Sequence, residues 1–315
     1  AERGPILVDG QPIAESVPTD DEFKFQRTYT DGPLFAPATG YFTLNQGNTG
    51  IEGSLNDYLS GTSNSQFLDQ VNALLTGQNP KGAAVELTLD RDIQQAAWDA
   101  LGDLQGAVIA INPKTGAILA MVSKPTFDPN TLAGHDTDQV IAAYDQLLAD
   151  PAGPLFNRTL AGNLNPPGST FKLVVAAAAL DSGQYTADSQ FPNPPQLQLP
   201  QSDSVIINSG GDDCGGAPTV SISDAIRLSC NIPFAELGQA IGTRAILAQA
   251  MKFGFNSSVS VPLESTPSVY PRALDEPQTM LSAFGQSSVR ASPLQMAMVS
   301  MAIANGGTLM KPNLV

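Results

Sequence analysis

Residues 166–180 read Pro-Pro-Gly-Ser-Thr-Phe-Lys-Leu-Val-Val-Ala-Ala-Ala-Ala-Leu. Two prolines and a glycine end the preceding segment, and an apolar, alanine-rich helix is expected to start at or beside Ser169 and run to Leu180. Ser169 and Lys172 are three apart, so on a helix they share a face with Cβ atoms roughly 5–6 Å apart. The serine stands at the amino end, where unpaired N–H groups and about half a positive charge favour an attacking alkoxide and a developing oxyanion. That field disfavours a protonated lysine, and burial pushes the same way. A lysine neutral at working pH can take the serine proton, the role histidine plays in other serine enzymes. Any helix can contain Ser-x-x-Lys by chance, as a capping serine with a lysine reaching to solvent. The Pro-Pro-Gly lead-in and the apolar continuation, which would bury the lysine stem, favour a reactive pair.

Sixty residues further on, Ser229-Cys230-Asn231 lies between two helical segments, Ser221 to Leu228 and Pro233 to Ala240. A hydroxyl and an amide on one tight loop can relay a proton and hold a substrate amide, although Ser and Asn also favour ordinary turns. Helical periodicity recurs from Asp136 to Leu148. Pro293 to Ala304 reads as a buried helix with Leu294, Met298 and Met301 inward, closed by Asn305-Gly306-Gly307. The run from Pro192 to Ser204 carries four prolines and no period, which reads as a surface loop.

Upstream, Ala84 to Leu89 alternates into a strand, and Asp90 is placed to cap a helix from Arg91 to about Leu101, with Ile93, Ala97 and Leu101 as its apolar stripe. Gly106 to Ile111 and Ala117 to Val122 are apolar runs of strand length joined by the turn Asn112 to Gly116. A strand, a helix and a tight buried hairpin open an α+β domain with an antiparallel sheet flanked by helices. Residues 1–81 differ: short strands with turn signals at Asp9-Gly10, Asp31-Gly32 and Asn48-Thr49-Gly50, and one helical stretch, Ser65 to Leu75, with Phe67, Val71 and Leu74 on a face. The expected organisation is a small, β-rich, non-catalytic domain over 1–81 and a catalytic domain over 82–315. No repeats or low-complexity tracts interrupt it.

The chain has 315 residues, enough for about two domains that need no staples to fold. Its net charge of −15 repels phosphate backbones, and no basic stripe offsets this, so nucleic acid is not an expected partner. The apolar runs Leu173 to Leu180 and Met296 to Met298 fall far short of the roughly 20 residues of a membrane span, and no signal peptide is present, so the chain is expected to be soluble as it stands. Two cysteines, Cys214 and Cys230, and one histidine, His135, cannot build a four-ligand zinc site. A Ser-His-Asp triad would have to use His135, which reads instead as a surface loop residue.

Pro166-Pro167-Gly168-Ser169-Thr170-Phe171-Lys172, Ser229-Cys230-Asn231 and the hairpin around Asn112 to Gly116 resemble the class B penicillin-binding proteins, most of all the penicillin-binding protein A group of actinobacteria. Leu87-Thr88-Leu89-Asp90 with Ile93-Gln94, Ser292-Pro293-Leu294-Gln295-Met296-Ala297 and Ala304-Asn305-Gly306-Gly307 are similar too, as is Arg3-Gly4 to the opening of the family's outer domain. The resemblance is strong over 87–315 and loose over 1–80. It implies a peptidoglycan D,D-transpeptidase in which Ser169 is the acylated nucleophile, Lys172 its general base, Ser229 a proton relay to the leaving group and Asn231 a contact for the substrate amide. No cofactor or metal is implied. Stem peptides would be the substrates, penicillin and other β-lactams covalent inhibitors, and division-complex proteins possible partners. The location would be extracytoplasmic, with an anchoring helix upstream of Ala1.

The oxidising compartment so implied leads us to expect a disulfide between Cys214 and Cys230, fixing the loop that carries Ser229 and Asn231. The family's third motif, Lys-Thr-Gly on a strand beside the serine, belongs after Ser229. The Lys114-Thr115-Gly116 of this sequence precedes Ser169 inside a hairpin turn and is expected to be a decoy, so the carboxyl-terminal part of the domain is expected beyond Val315. Two rival readings accompany the resemblance. One is a hydrolase like a D,D-carboxypeptidase or β-lactamase, for which Asp224 and Glu236 are the carboxylates nearest the motifs; the other is a catalytically silent scaffold for division proteins.

Overall fold

The computed structural model describes residues 2–63, 81–162 and 164–315. They form two compact units, Ala1–Gly162 with Ser260–Ser265 and Met310–Val315, and Asn163–Val259 with Thr266–Leu309. Both mix sheets and helices, the α+β class anticipated.

In the first unit, β1 (Ile6–Val8), β2 (Gln11–Pro18), β3 (Phe25–Tyr29) and β4 (Val85–Glu86) make a sheet in the order β3-β2-β1-β4. The pairings are antiparallel except β1 with β4. Val8 pairs with Gln11, so Asp9-Gly10 is a two-residue hairpin loop with φ of 52° and 71°, the left-handed geometry that Asp-Gly supplies. The strand expected over Ala84 to Leu89 contracts to β4. The helix expected over Ser65 to Leu75 lies outside the described residues.

Three helices in this region were hidden by its turn-rich composition: α1 (Gly32–Thr39), α2 (Gly50–Ser54) and α3 (Asn56–Leu59). Helix α1 has Pro33 in its first turn, where proline is tolerated, and Pro37 in its interior, which local propensity opposes, but it buries Leu34, Phe35, Ala36 and Ala38. Its end passes so close to α2 that a Cβ on Gly40 would lie 2.2 Å from the Thr49 carbonyl oxygen. Glu52 on α2 is wholly buried and accepts from Arg3 Nη2 (2.8 Å), Arg27 Nε (2.6 Å) and Tyr29 Oη (3.2 Å).

Helix α4 (Arg91–Leu101) starts as expected, with the Asp90 carboxylate accepting from Ile93 N at 3.0 Å. The expected stripe needs correcting. Ile93 is 37% exposed, and Gln94 is the buried residue. The Gln94 amide donates to Leu34 O (2.9 Å) and Met121 O (3.0 Å) and accepts from Met121 N (2.7 Å), so a fully satisfied polar side chain replaces an apolar one. Strands β5 (Gly106–Ile111) and β6 (Ile118–Lys124) form the anticipated antiparallel hairpin, buried along β6 and half-buried along β5. Lys114-Thr115-Gly116 builds its turn. Lys114 N donates to Asn112 Oδ1, Thr115 Oγ1 accepts from Ala117 N, and a Cβ on Gly116 would meet Lys311 O at 2.2 Å. Asp136 caps α5 (Thr137–Ala149) by accepting from the amides of Asp138 and Gln139. His135 sits in the loop before it, pairs through Nδ1 with Asp21, and lies against the Phe23 ring.

In the second unit, a turn of 3-10 helix (Gly168–Phe171) runs into α6 (Lys172–Asp181). Then come β7 (Gln190–Pro192), β8 (Gln196–Gln198), β9 (Val205–Ile207), β10 (Thr219–Ser221), α7 (Ile222–Arg227), α8 (Ile232–Lys252), α9 (Glu276–Ser282) and α10 (Pro293–Ala304). The expected loop over Pro192 to Ser204 instead contains β8, which pairs antiparallel with β9 from Gln196↔Ile207 to Gln198↔Val205; β7 pairs likewise with β10. Helix α8 continues past Ala240 to Lys252, broken at Gly242 where φ is 78°. Helix α9 went unread, although Asp275 and Gln278 form a capping box legible in the sequence. Helix α10 matches expectation, with Leu294, Met298 and Met301 buried. The core of this unit gathers Phe171, Val174, Val175, Phe234, Phe255 and Tyr270. Among the described residues, no helix is long and apolar enough to cross a membrane.

Candidate active site

Ser169 and Lys172 are brought together by the turn ahead of α6 rather than by α6 itself. In a 3-10 turn, side chains at i and i+3 eclipse. Lys172 Nζ accordingly stands 3.1 Å from Ser169 Oγ. The turn is held from both sides. Phe171, between the two residues, stacks on Tyr270 with ring centroids 5.6 Å apart and meets the edge of Phe255 at 5.5 Å. Gly168 N donates to Gly285 O at 3.1 Å, and a Cβ on Gly285 would lie 2.0 Å from Gly168 O, so position 285 requires glycine. No side chain caps the turn, and Ser169 within it is open to solvent.

Ser229-Cys230-Asn231 occupies the junction of α7 and α8. Ser229 adopts φ 57°, a left-handed conformation that a residue with a Cβ takes only under strain, often at functional sites. This turn aims both its carbonyl and its hydroxyl at the lysine: Lys172 Nζ is 2.7 Å from Ser229 O, 3.2 Å from Ser229 Oγ and 2.8 Å from Asn231 Oδ1. Lys172 is only 2% exposed while Ser169 is open to solvent. Burial pulls the lysine down to about 8 by penalising its charged form.

The partners decide where the neutral amine's lone pair points. Ser229 O and Asn231 Oδ1 can only accept, and they make the two shortest contacts, so they take the two N–H bonds of the neutral amine. The lone pair is left for the hydroxyls of Ser169 and Ser229, the groups with a proton to give. Among the described residues no carboxylate is hydrogen-bonded to Ser169, Lys172, Ser229 or Asn231. Asp224 instead contacts Ser221 and Arg227. Cys214 and Cys230 are joined in a disulfide, Cα atoms 5.7 Å apart, which ties the loop between Ser229 and Asn231 to the segment after β9.

Sequence reasoning missed two buried amides behind this loop. Asn208, ahead of Gly210-Gly211, looks like a turn residue, and Asn193 lies in the run read as a loop. Each is 1% exposed, and their amides meet at 3.3 Å.

Residues 106–315 match the model of the penicillin-binding protein transpeptidase domain. The chain belongs to that family. Residues 3–85 match the penicillin-binding protein A dimerisation domain. Among relatives, this penicillin-binding protein is 40% identical over its whole length to the peptidoglycan D,D-transpeptidase PbpA of Mycolicibacterium smegmatis and 39% identical to that of Mycobacterium tuberculosis. It spans 65% of the length of each. The solved structure of penicillin-binding protein A from M. tuberculosis, as its penicillin G acyl-enzyme complex, superposes with a TM-score of 0.95 at 38% identity, covering 100% of this chain and 73% of that one.

Proposed function

We propose that this penicillin-binding protein is a peptidoglycan D,D-transpeptidase that acts through an acyl-enzyme on Ser169. The observation that carries the reading is the buried Lys172 amine, shared between the Ser169 hydroxyl and three groups of the Ser229–Asn231 loop. As Oγ of Ser169 bonds to the penultimate D-alanine carbonyl of a stem peptide, its proton passes to Lys172. The C–N bond then breaks, and D-alanine leaves with a proton relayed through Ser229. An amine of a neighbouring stem peptide attacks the ester, forms the cross-link and restores the serine hydroxyl. A β-lactam would open on the same serine and stall there. Asn231 would hold the substrate amide through its Nδ2.

We assign 82–315 to the transpeptidase domain and 1–81 to a non-catalytic domain that would meet division-complex proteins, in an extracytoplasmic, membrane-anchored protein. Benzylpenicillin treatment of the full-length protein, followed by intact-mass analysis and peptide mapping, tests the site. A single adduct on Ser169, absent from Ser169→Ala, is expected; an adduct on another serine refutes the assignment, and no adduct at all supports a silent scaffold. With a stem peptide and an amine acceptor, cross-linked product is expected, whereas hydrolysis that ignores the amine would mark a carboxypeptidase.

A further inference from the structure

We infer that Asn208 is a positioning residue that sets the direction of the Lys172 lone pair through Asn231; the inference rests on the acyl-transfer reading above. Asn208 follows β9 and touches neither Ser169 nor Lys172. Its Oδ1 accepts from the main-chain amides of Asn231 (2.9 Å) and Ile232 (3.0 Å). Those are first-turn amides of α8, which have no partner within the helix. No side chain local to α8 caps it, so a residue 23 positions earlier in the sequence does so. The preceding residue completes the grip, since the Ile207 carbonyl accepts from Asn231 Nδ2 at 3.1 Å. Asn231 is thus held by its backbone through Asn208 and by its side chain through Ile207.

This grip determines which way the Asn231 amide faces. Ile207 O can only accept, so Nδ2 turns toward it and Oδ1 is left for Lys172 Nζ at 2.8 Å. That contact occupies one N–H of the neutral amine and keeps its lone pair on the serine hydroxyls. Asn208 is itself held from behind. Its Nδ2 donates to Asn193 Oδ1 and Asp212 O, both at 3.3 Å, and Asn193 Nδ2 donates to Cys214 O (2.7 Å) and Ala217 O (2.9 Å). Both amides are buried and every polar atom in them is matched, as expected of a support that must hold one orientation.

The test compares the full-length protein with its N208A, N231A and N208A/N231A forms, using time-resolved acylation by a saturating fluorescent penicillin. Two quantities are read, the first-order acylation constant and the final labelled fraction. For N208A the labelled fraction should stay at that of the unaltered protein while the rate constant falls roughly ten- to a hundredfold, the scale of misplacing a reacting group by about an ångström. Because Asn208 acts through Asn231, adding N208A to N231A should slow acylation by no more than about threefold further, the non-additivity expected of residues that work as a unit. An unchanged N208A rate overturns the inference. So does a reduced labelled fraction at unchanged rate, which is what a purely structural role gives. Full additivity of N208A and N231A also overturns it, and N208S, a smaller loss at the same side chain, is read with the same outcomes should N208A not fold. An unaltered protein that is never acylated overturns the functional reading, and the positioning role falls with it.

Discussion

The rate of acylation should climb steeply with pH, because burial has moved the Lys172 amine from its usual 10.5 to about 8. The charged form is the one disfavoured, so the base is present above that value and lost as pH falls below it. An unperturbed lysine would be neutral in about 0.03% of molecules at pH 7, whereas a pKa near 8 gives about 9%, an increase of about 300-fold. If the neutral amine is the general base, the acylation constant follows this fraction: about 1% at pH 6, half at pH 8 and about 90% at pH 9. The rise between pH 6 and 9 is therefore about ninetyfold, close to tenfold per unit on its acid side. Stopped-flow acylation by a fluorescent penicillin at fixed ionic strength, from pH 6 to 9.5, measures it. Lys172→Arg keeps the charge at every accessible pH and should lose about 10²–10⁴ in rate with no pH dependence. A flat profile, a falling one, or a midpoint near 10.5 would show that the buried amine is not the base.

Two further outcomes follow from buried charge and from the cross-link. Glu52→Gln removes the partner of two buried arginines and should cost about 3–5 kcal/mol in urea unfolding; a loss under about 1 kcal/mol would mean that water already serves those guanidiniums. Thiol titration of the denatured, unreduced protein should find no free cysteine, and reducing the Cys214–Cys230 bond should lower stability by roughly 3 kcal/mol in the chain-entropy picture. Two thiols per chain in the titration would refute the bond.

Ser169, Lys172, Ser229 and Asn231 were legible because their chemistry announces itself in short runs: a breaker before a helix, a lysine one turn along, a hydroxyl and an amide in a helix junction. The cap at Asp90 was legible for the same local reason. Apart from α9, whose capping box is local, what escaped depends on distant chain. Helix α1 exists because Leu34 and Phe35 are buried, despite Pro37 in its interior. Gln94 displaced Ile93 as the inward residue because two backbone segments left it hydrogen bonds to complete. Strand β8 needed β9 as a partner, and Asn208 caps a helix that begins far along the sequence. None of these signals has a period or a motif.

Ser229 sits at φ 57°, where an L-residue with a Cβ is crowded by its own backbone by roughly 1–2 kcal/mol and glycine is not. Substituting glycine there should make the protein melt at a higher temperature while removing the hydroxyl 3.2 Å from the lysine amine. Stability and chemistry thus favour different residues at one position. A stability-guided redesign of this chain would choose glycine at 229 and gain robustness while deleting the hydroxyl that the proposed proton relay requires.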